Sequence, residues 1–300
     1  MKKALLIILI VAICLLVVGG AVFAIGMQRI GWDFTALSGK EYDTDIVSFH
    51  ADEVSDIVVE VNTEDVILLT SEEDEIEIEC FIVKNKKGEV LRQAIPILAD
   101  GVLSVKAEGK KYSFMNFFGS TKAPKVVVKI PAEKSIALSV KVTTGNVTLG
   151  EEGKERRYSS LKVGASTGNV TLLGRTLTET LTIGVSTGNV KVKGEVVCNG
   201  DAEISASTGN IKISATLSAA KITLKTSTGD VESTAPLTSD NIYVHTSTGE
   251  VELTLSGRKE DYTYTYETST GDSNYPNFSL GERKLEVHTS TGDIELTFRE

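Results

Sequence analysis

The sequence predicts an all-β protein: a parallel β-solenoid with coils of about 20–22 residues, following one N-terminal transmembrane helix. Three observations predict it. A turn of the form S/T-T-G, followed by Asn, Asp or Glu, recurs eight times between Thr143 and Ile294. Apolar and polar residues alternate on both sides of each turn. A single long apolar run lies near the N-terminus.

Residues 1–30 are expected to form the membrane anchor. Ala4–Met27 is apolar throughout, and about 20 such residues in a helix cross a hydrocarbon core of roughly 30 Å. Lys2 and Lys3 favour a cytoplasmic N-terminus, so the rest of the chain should be extracytoplasmic. The alternative is a cleaved signal peptide, because Ala24 is a small residue of the kind that signal peptidase accepts. The run is, however, longer than the usual apolar region of roughly 7–15 residues.

Composition excludes some partners. The chain has 31 Lys and Arg against 41 Asp and Glu, a formal net charge of −10. Nucleic acid is therefore not an expected partner, because binding to phosphates needs a basic surface. Cys14 lies in the apolar run, and the spacing of Cys80 and Cys198 fits neither a disulfide framework nor a zinc site. We interpret both as small buried apolar residues.

Two segments precede the repeat. Residues 31–45 are expected to be a juxtamembrane linker, and residues 46–135 a β-strand region with the first coils and a cap. Runs rich in β-branched residues, bounded by Asp, Asn and Gly, predict strands in the second segment. These runs are Ile57–Val61, Val66–Leu69, Ile76–Val83, Val102–Ala107 and Val126–Ile130.

The repeat occupies residues 136–300, and its turn glycines are 20 to 23 residues apart. They are Gly145, Gly168, Gly188, Gly209, Gly229, Gly249, Gly271 and Gly292. The positions seven and five residues before each glycine, and two after it, are nearly all apolar, so each coil has an inward face. The spacing is too short for a crossover helix, so we expect coils stacked at about 4.8 Å in parallel ladders.

The turn is interpreted as architecture. Glycine adopts a positive φ at low cost, which a sharp corner between two strands requires. Ser and Thr before it can bond to the exposed backbone of the bend, and Asn or Asp after it tolerate the left-handed region. No nucleophile–base set accompanies these turns, so a catalytic role is not predicted.

These turns, the single anchor and the sequences "GWDFTALS" and "VVVKIP" resemble a known family of bacterial envelope proteins. It is a putative-adhesin family with β-strand repeats, whose domain has no established function. The resemblance covers Asp45–Glu300. It implies a β-solenoid outside the membrane, in some members linked to envelope-stress systems, and it supplies no catalytic residues.

The residue after the turn glycine changes from amide to carboxylate along the repeat. Asparagine in the first four coils is replaced by Asp230, Glu250, Asp272 and Asp293. Carboxylates about 5 Å apart repel by roughly 1 kcal/mol per pair in water, and a hard cation such as Ca²⁺ would relieve this. The alternative is that the acids extend separately into water. No other cofactor is expected.

Two histidines share one position in the repeat. His245 and His288 each lie four residues before a turn glycine, and Glu267 has that position in the coil between them. In chain order the histidines would be near 10 Å apart. That spacing predicts a ladder of opposite charges and no shared metal ion. Tyr264 and Tyr266 lie at inward positions, which favours core packing.

An aromatic stretch, Lys110–Ser120, interrupts the strand pattern. Its apolar residues are Tyr112, Phe114, Met115, Phe117 and Phe118. One interpretation is a cap over the open end of the solenoid, because an exposed sheet edge must be covered. The other is contact with the membrane or a partner.

These observations favour a non-catalytic, adhesin-like binding or scaffold protein at the cell membrane. Its expected partners are a cell-wall polymer or an envelope protein. The alternatives are an envelope-stress sensory or assembly component and a calcium-dependent β-helix enzyme acting on polysaccharide. Enzymes of that kind need long loops around a cleft, and these coils have almost none.

Overall fold

The computed structural model describes residues 40–85, 87–109 and 124–300, together with positions 19, 24, 25 and 28. Apart from those four positions, the expected anchor lies outside the described residues, as does the aromatic stretch Lys110–Ser120. Within the part of the chain that is described, no helix is both long and apolar enough to cross a bilayer.

The N-terminal region is made of strands. They are β1 Lys40–His50, β2 Asp56–Val61, β3 Asp65–Ser71, β4 Glu75–Asn85, β5 Val90–Ala99, β6 Val102–Gly109 and β7 Lys125–Pro131. All five predicted runs coincide with strands, namely β2, β3, β4, β6 and β7. Strand β1 begins at Lys40, inside the segment 31–45 that was expected to be a linker. This strand pairs with β4 along its whole length, for example Tyr42 with Val83 and Phe49 with Ile76.

In the repeat, one strand precedes each corner and, in all but one coil, another strand follows it. The middle coils have a further short strand, which forms a third side. The strands before a corner are β8 Ile136–Thr144, β10 Glu155–Thr167, β13 Leu181–Thr187, β16 Asp201–Thr208, β19 Lys221–Thr228, β21 Asn241–Thr248, β23 Tyr262–Glu267 and β25 Arg283–Thr291. Those after a corner are β9 Val147–Leu149, β11 Val170–Leu172, β14 Val190–Val192, β17 Ile211–Ile213, β20 Val231–Thr238, β22 Val251–Ser256 and β26 Ile294–Arg299. The remaining strands are β12 Arg175–Thr178, β15 Val196–Cys198, β18 Leu217–Ser218 and β24 Phe278–Ser279. Short 3₁₀ turns lie at Ala51–Glu53 and Lys259–Asp261.

Equivalent strands of successive coils pair in parallel, so the chain is all-β with a long, mostly parallel and solenoid-like sheet. Leu161 lies beside Leu181 and Val163 beside Ile183, and all four side chains are buried. Thr182, between Leu181 and Ile183, is exposed. The alternation therefore places one apolar column after another in a continuous core, as the repeat pattern predicts.

The order of coils in space differs from their order in the chain at both ends. The β2–β3 coil lies between β6–β7 and β8–β9, since β2 pairs with β6 and β8 and β3 pairs with β7 and β9. At the other end, β25 lies between β21 and β23. The coil of Gly292 therefore stacks directly on that of Gly249, and the coil of Gly271 is outermost.

Antiparallel strands close the N-terminal end. Strand β4 pairs with β7, β5 pairs with β6, and β1 pairs with β4. These strands satisfy the N–H and C=O groups that the last parallel strands would otherwise expose. Described strands thus meet the edge requirement on which the cap interpretation of Lys110–Ser120 rested.

Candidate functional site

The corners form one continuous edge of the molecule. All eight turn glycines have a positive φ, for example +137° at Gly209 and +151° at Gly249. A Cβ added at Gly209 would lie 2.0 Å from the carbonyl oxygen of Gly188, and one at Gly249 would lie 2.0 Å from that of Gly229. Backbone conformation and close contact between coils therefore both require glycine.

Hydrogen bonds run through the corner from coil to coil. The N–H of Gly188 donates to the carbonyl of Thr208 at 2.9 Å, and that of Val190 donates to the carbonyl of Asn210 at 3.0 Å. The ladder of parallel strands therefore continues around the bend.

A second ladder is made by the side chains after each glycine, and we call it the corner ladder. The Oδ1 atom of Asn169 accepts the backbone N–H of Asn189 at 3.0 Å and its Nδ2–H at 3.2 Å. The Oδ1 atom of Asn189 likewise accepts the backbone N–H of Asn210 at 2.8 Å. Each amide satisfies a backbone donor of the next coil that would otherwise need water.

The corner ladder begins one coil earlier than the repeat. Asp65 Oδ1 accepts the backbone N–H of Asn146 at 2.7 Å. At this first corner the position of the glycine is taken by Glu64, which is fully buried and bonds to Arg92 with an Oε1–Nε distance of 2.6 Å. Glu64 Oε2 also accepts the backbone N–H groups of Asn62 and Thr63, each at 2.8 Å. Sequence reasoning missed this pair, although Asn62–Val66 matches the turn pattern with Glu in place of Gly.

The acidic residues continue the same ladder. Asp230 Oδ1 accepts the backbone N–H of Glu250 at 3.0 Å, while its Oδ2 accepts the Nδ2–H of Asn210 at 3.1 Å. Asp293 Oδ1 accepts the backbone N–H of Asp272 at 2.9 Å. The spatial order is therefore Asp230, Glu250, Asp293, Asp272, which corrects the chain order expected from the sequence.

Calcium binding by these four acids stays a prediction. In the described ranges, no group of three or more His, Cys, Asp or Glu side chains is placed to hold a metal ion. The hydrogen bonds to backbone N–H groups give Asp230 and Asp293 a structural role of their own.

Two hydroxyl residues precede every turn glycine, and nearly all of them are exposed. In seven of the eight coils both residues before the glycine are exposed, as Ser186 and Thr187 are, and in the remaining coil Ser247 is half-buried. The residue one position earlier points inward. Thr226 and Thr246 are buried there, and their hydroxyls donate to the carbonyls of Gly209 and Gly229 at 3.0 and 3.1 Å.

The two histidines are neighbours, because β21 pairs directly with β25. His245 lies beside His288 in register, with ring centroids 6.5 Å apart. Glu267 lies on the far side of His288, and its Oε2 is 3.2 Å from His288 Nδ1. The expected order, with Glu267 between histidines near 10 Å apart, was wrong. The Gly271 and Gly292 coils exchange places in the stack.

Aromatic residues close the C-terminal end. Tyr264 is buried, and its hydroxyl is 2.9 Å from Ser273 Oγ. The Tyr264 and Tyr266 rings stack with centroids 5.6 Å apart, as core packing predicts. The Nζ atom of Lys259 lies 4.9 Å from the ring centroid of Phe278.

Both described cysteines are free and buried. Desolvation by burial, helped by the charge of Asp45, raises the pKa of the Cys80 thiol to about 11. Desolvation also raises the pKa of Cys198. A thiol with a raised pKa is a poor nucleophile at neutral pH. The burial of both cysteines confirms their interpretation as core residues.

Stacked coils with a continuous edge of hydroxyl, amide and carboxylate groups define a class of all-β repeat proteins. The chain belongs to the Toastrack DUF4097 family, whose sequence profile matches residues 54–297. A search of curated proteins found no match.

Solved structures share the fold at low identity. The chain is similar to a protein from Parabacteroides merdae described as a "putative adhesin", with 15% identity, a TM-score of 0.51, and coverage of 85% of this chain and 96% of that one. It also matches a "putative adhesin" from Bacteroides fragilis, at 11% identity and TM-score 0.43, covering 85% and 97%. A third match, described as a "putative lipid binding protein", is from Parabacteroides distasonis, at 13% identity and TM-score 0.44, covering 87% and 97%. At these identities the likeness concerns the fold alone.

Proposed function

We propose that this protein is an adhesin-like binding or scaffold protein of the bacterial cell envelope, without catalytic activity. In this proposal a single N-terminal helix anchors it in the cell membrane with the N-terminus in the cytoplasm. The β-solenoid is held outside the membrane. The apolar run Ala4–Met27 and the preceding lysines support this placement.

The observation that carries the proposal is the uninterrupted polar edge. Eight coils stacked about 4.8 Å apart extend it over roughly 34 Å. Along this length it repeats exposed hydroxyl pairs beside the corner ladder, with the same backbone geometry in every coil. A regular, extended surface suits a regular, extended partner, and we take a cell-wall polymer as that partner.

The carboxylate half of the corner ladder is the part that we expect to make contact. A purely architectural ladder needs only an acceptor oxygen after each glycine, which asparagine supplies in the first four coils. Carboxylates add charge at the same atoms. In the presence of Ca²⁺ they can bridge to anionic groups of the polymer through oxygen ligands.

Retention on purified cell-wall sacculi tests the proposal, using the full chain in mild detergent with Ca²⁺ or with a chelator. We expect retention that the chelator lowers. It should also fall in a variant in which four carboxylates become amides: Asp230→Asn, Glu250→Gln, Asp272→Asn and Asp293→Asn. The control removes the same charge from the N-terminal strands: Glu41→Gln, Asp52→Asn, Glu53→Gln and Glu108→Gln.

Three results discriminate. Loss in the first variant alone supports binding by the carboxylate half. Equal loss in both variants reduces the effect to net charge and contradicts the assignment to the ladder. No retention of the unaltered chain in either buffer overturns the polymer as partner and leaves an envelope protein for the same edge.

A further inference from the structure

Two histidines and a glutamate lie together on the outer face of the sheet that contains β19, β21, β25 and β23. We call His245 and His288 the histidine pair. They face outward because the residues on both sides of His245, Val244 and Thr246, are buried in the core. The two strands are directly paired, so the register holds the histidine backbones side by side.

Glu267, whose own side chain is 81% exposed, contacts the ring of His288. Its Oε2 is 3.2 Å from Nδ1 of His288, and the His288 side chain is only 31% exposed. An ionised carboxylate can only accept a hydrogen bond, so in the neutral ring this contact places the proton on Nδ1 and leaves the lone pair on Nε2. Tyr243 packs against the same imidazole with ring centroids 5.6 Å apart. The ring is thus held with its unprotonated nitrogen available.

This arrangement matches the surroundings of a metal-binding histidine. Such a residue usually donates its other N–H to a carboxylate, which orients the ring and raises its basicity. Imidazole nitrogens bind late first-row divalent cations, at about 2.0–2.1 Å for Zn²⁺. Neighbouring parallel strands lie about 4.8 Å apart and the two ring centroids are 6.5 Å apart, so a rotation of the His245 side chain would be needed to bring its ring to the ion bound by His288.

We propose that His245 and His288 form a two-imidazole site for a borderline divalent cation of the Zn²⁺, Ni²⁺ and Cu²⁺ class, with Glu267 as the orienting carboxylate. Two protein ligands leave the other coordination positions to water or to a donor group of a binding partner. The site is distinct from the carboxylate half of the corner ladder, where oxygen ligands would suit Ca²⁺.

The charges around the pair are compatible with a cation. Lys225 lies beside His245 in register, but its Nζ bonds to Glu203 Oε1 at 3.1 Å. Glu286 lies beside Tyr243 in the neighbouring outward row and is exposed. A metal ion would bind to the unprotonated nitrogen of each imidazole.

The chain contains its own control. Of its three histidines, His50 lies on β1 at the opposite end, is 76% exposed and faces Glu75 at 3.6 Å. It has one nearby carboxylate, as His288 does, and no second histidine beside it in the described strands. His50→Gln therefore removes an imidazole and leaves the histidine pair intact.

The test is calorimetric titration of the tag-free full chain in mild detergent with Zn²⁺ at neutral pH. A Cu²⁺ electron paramagnetic resonance spectrum then counts the bound nitrogens. We expect one ion per chain and two nitrogens. His245→Gln or His288→Gln should weaken binding at least tenfold, and Glu267→Gln more mildly. His50→Gln should leave the affinity unchanged.

The thermal midpoint of each variant is measured in parallel, since outward substitutions should leave the fold intact. Unchanged Zn²⁺ affinity in both His245→Gln and His288→Gln would overturn the site, as would equal weakening by His50→Gln. Failure of the unaltered chain to bind Zn²⁺ at concentrations up to 1 mM would overturn the site as well.

Discussion

The amide half and the carboxylate half of the corner ladder have the same backbone and opposite chemistry. In both, the glycine N–H donates to a threonine carbonyl of the next coil at 2.9 Å, as at Gly188 and Gly249. In both, a side-chain oxygen accepts the next backbone N–H, at 2.8 Å from Asn189 and at 3.0 Å from Asp230. At these positions an amide oxygen and a carboxylate oxygen therefore serve equally well as the acceptor.

The amide half has one further bond. The Nδ2–H of Asn189 donates to Oδ1 of Asn169 at 3.2 Å, whereas an ionised carboxylate has no hydrogen to donate. The carboxylates thus forgo one bond per coil and repel one another. Because asparagine meets the structural need at least as well, the carboxylate half is better explained by what it contacts outside the molecule.

The largest expected effect concerns the first corner, where neither an amide nor a glycine is used. Arg92→Met should leave Glu64 buried without its charged partner and reduce the free energy of unfolding by about 3–5 kcal/mol. The matched control is Lys106→Met, which removes an exposed pair with Glu60 at 3.6 Å and should cost less than about 1 kcal/mol.

Chemical denaturation of the full chain measures both variants. Equal losses would mean that the buried Glu64–Arg92 pair contributes no more to stability than the exposed Glu60–Lys106 pair. The first corner would then belong with the others despite its different residues.

Replacing a corner glycine by alanine should reduce stability by the same amount in both halves of the corner ladder. Gly188→Ala and Gly249→Ala each place a Cβ 1.9–2.0 Å from a glycine carbonyl oxygen at a positive φ, so each should lose about 1–3 kcal/mol or more. Gly184→Ala is the control, because its φ is not in the left-handed region and the nearest atom is 3.6 Å away. Thermal unfolding compares the three, and a clearly milder loss at Gly249 would show that the two halves differ in backbone as well.

Much of this fold could be predicted from the sequence because the repeat pattern specifies the geometry of each coil. The turn glycines and their flanking apolar columns indicate corners and an inward face, and the observed pairing of Leu161 with Leu181 follows that register. Strands β1 and β5 were not predicted because charged and polar residues obscure their alternation.

The exchange of the last two coils was harder to predict, since the turns at Gly271 and Gly292 are nearly identical. One signal was available. Ser273 stands where other coils have Val or Ile, so that coil has a weaker apolar face and is suited to the end of the stack. His245 and His288 lie side by side because of this exchange. Arg92 could not be assigned to Glu64 from sequence, because 28 residues and a hairpin separate them.

The smallest expected effect exchanges the chemistry of the two halves. Asn189→Asp keeps the acceptor for Asn210 but turns the donor toward Asn169 into a repelling oxygen, at a cost of about 1 kcal/mol. Asp230→Asn should cost nothing or stabilise slightly, because it extends the amide pattern and removes repulsion with Glu250. That repulsion is roughly 0.8 kcal/mol at 5 Å in water and is screened by salt. The difference in unfolding free energy between Asp230→Asn and the unaltered chain should therefore be smaller in 500 mM salt than in 10 mM salt. If Asp230→Asn destabilises at both salt concentrations, the carboxylates serve the fold itself, and the main reason for assigning them to an external contact is lost.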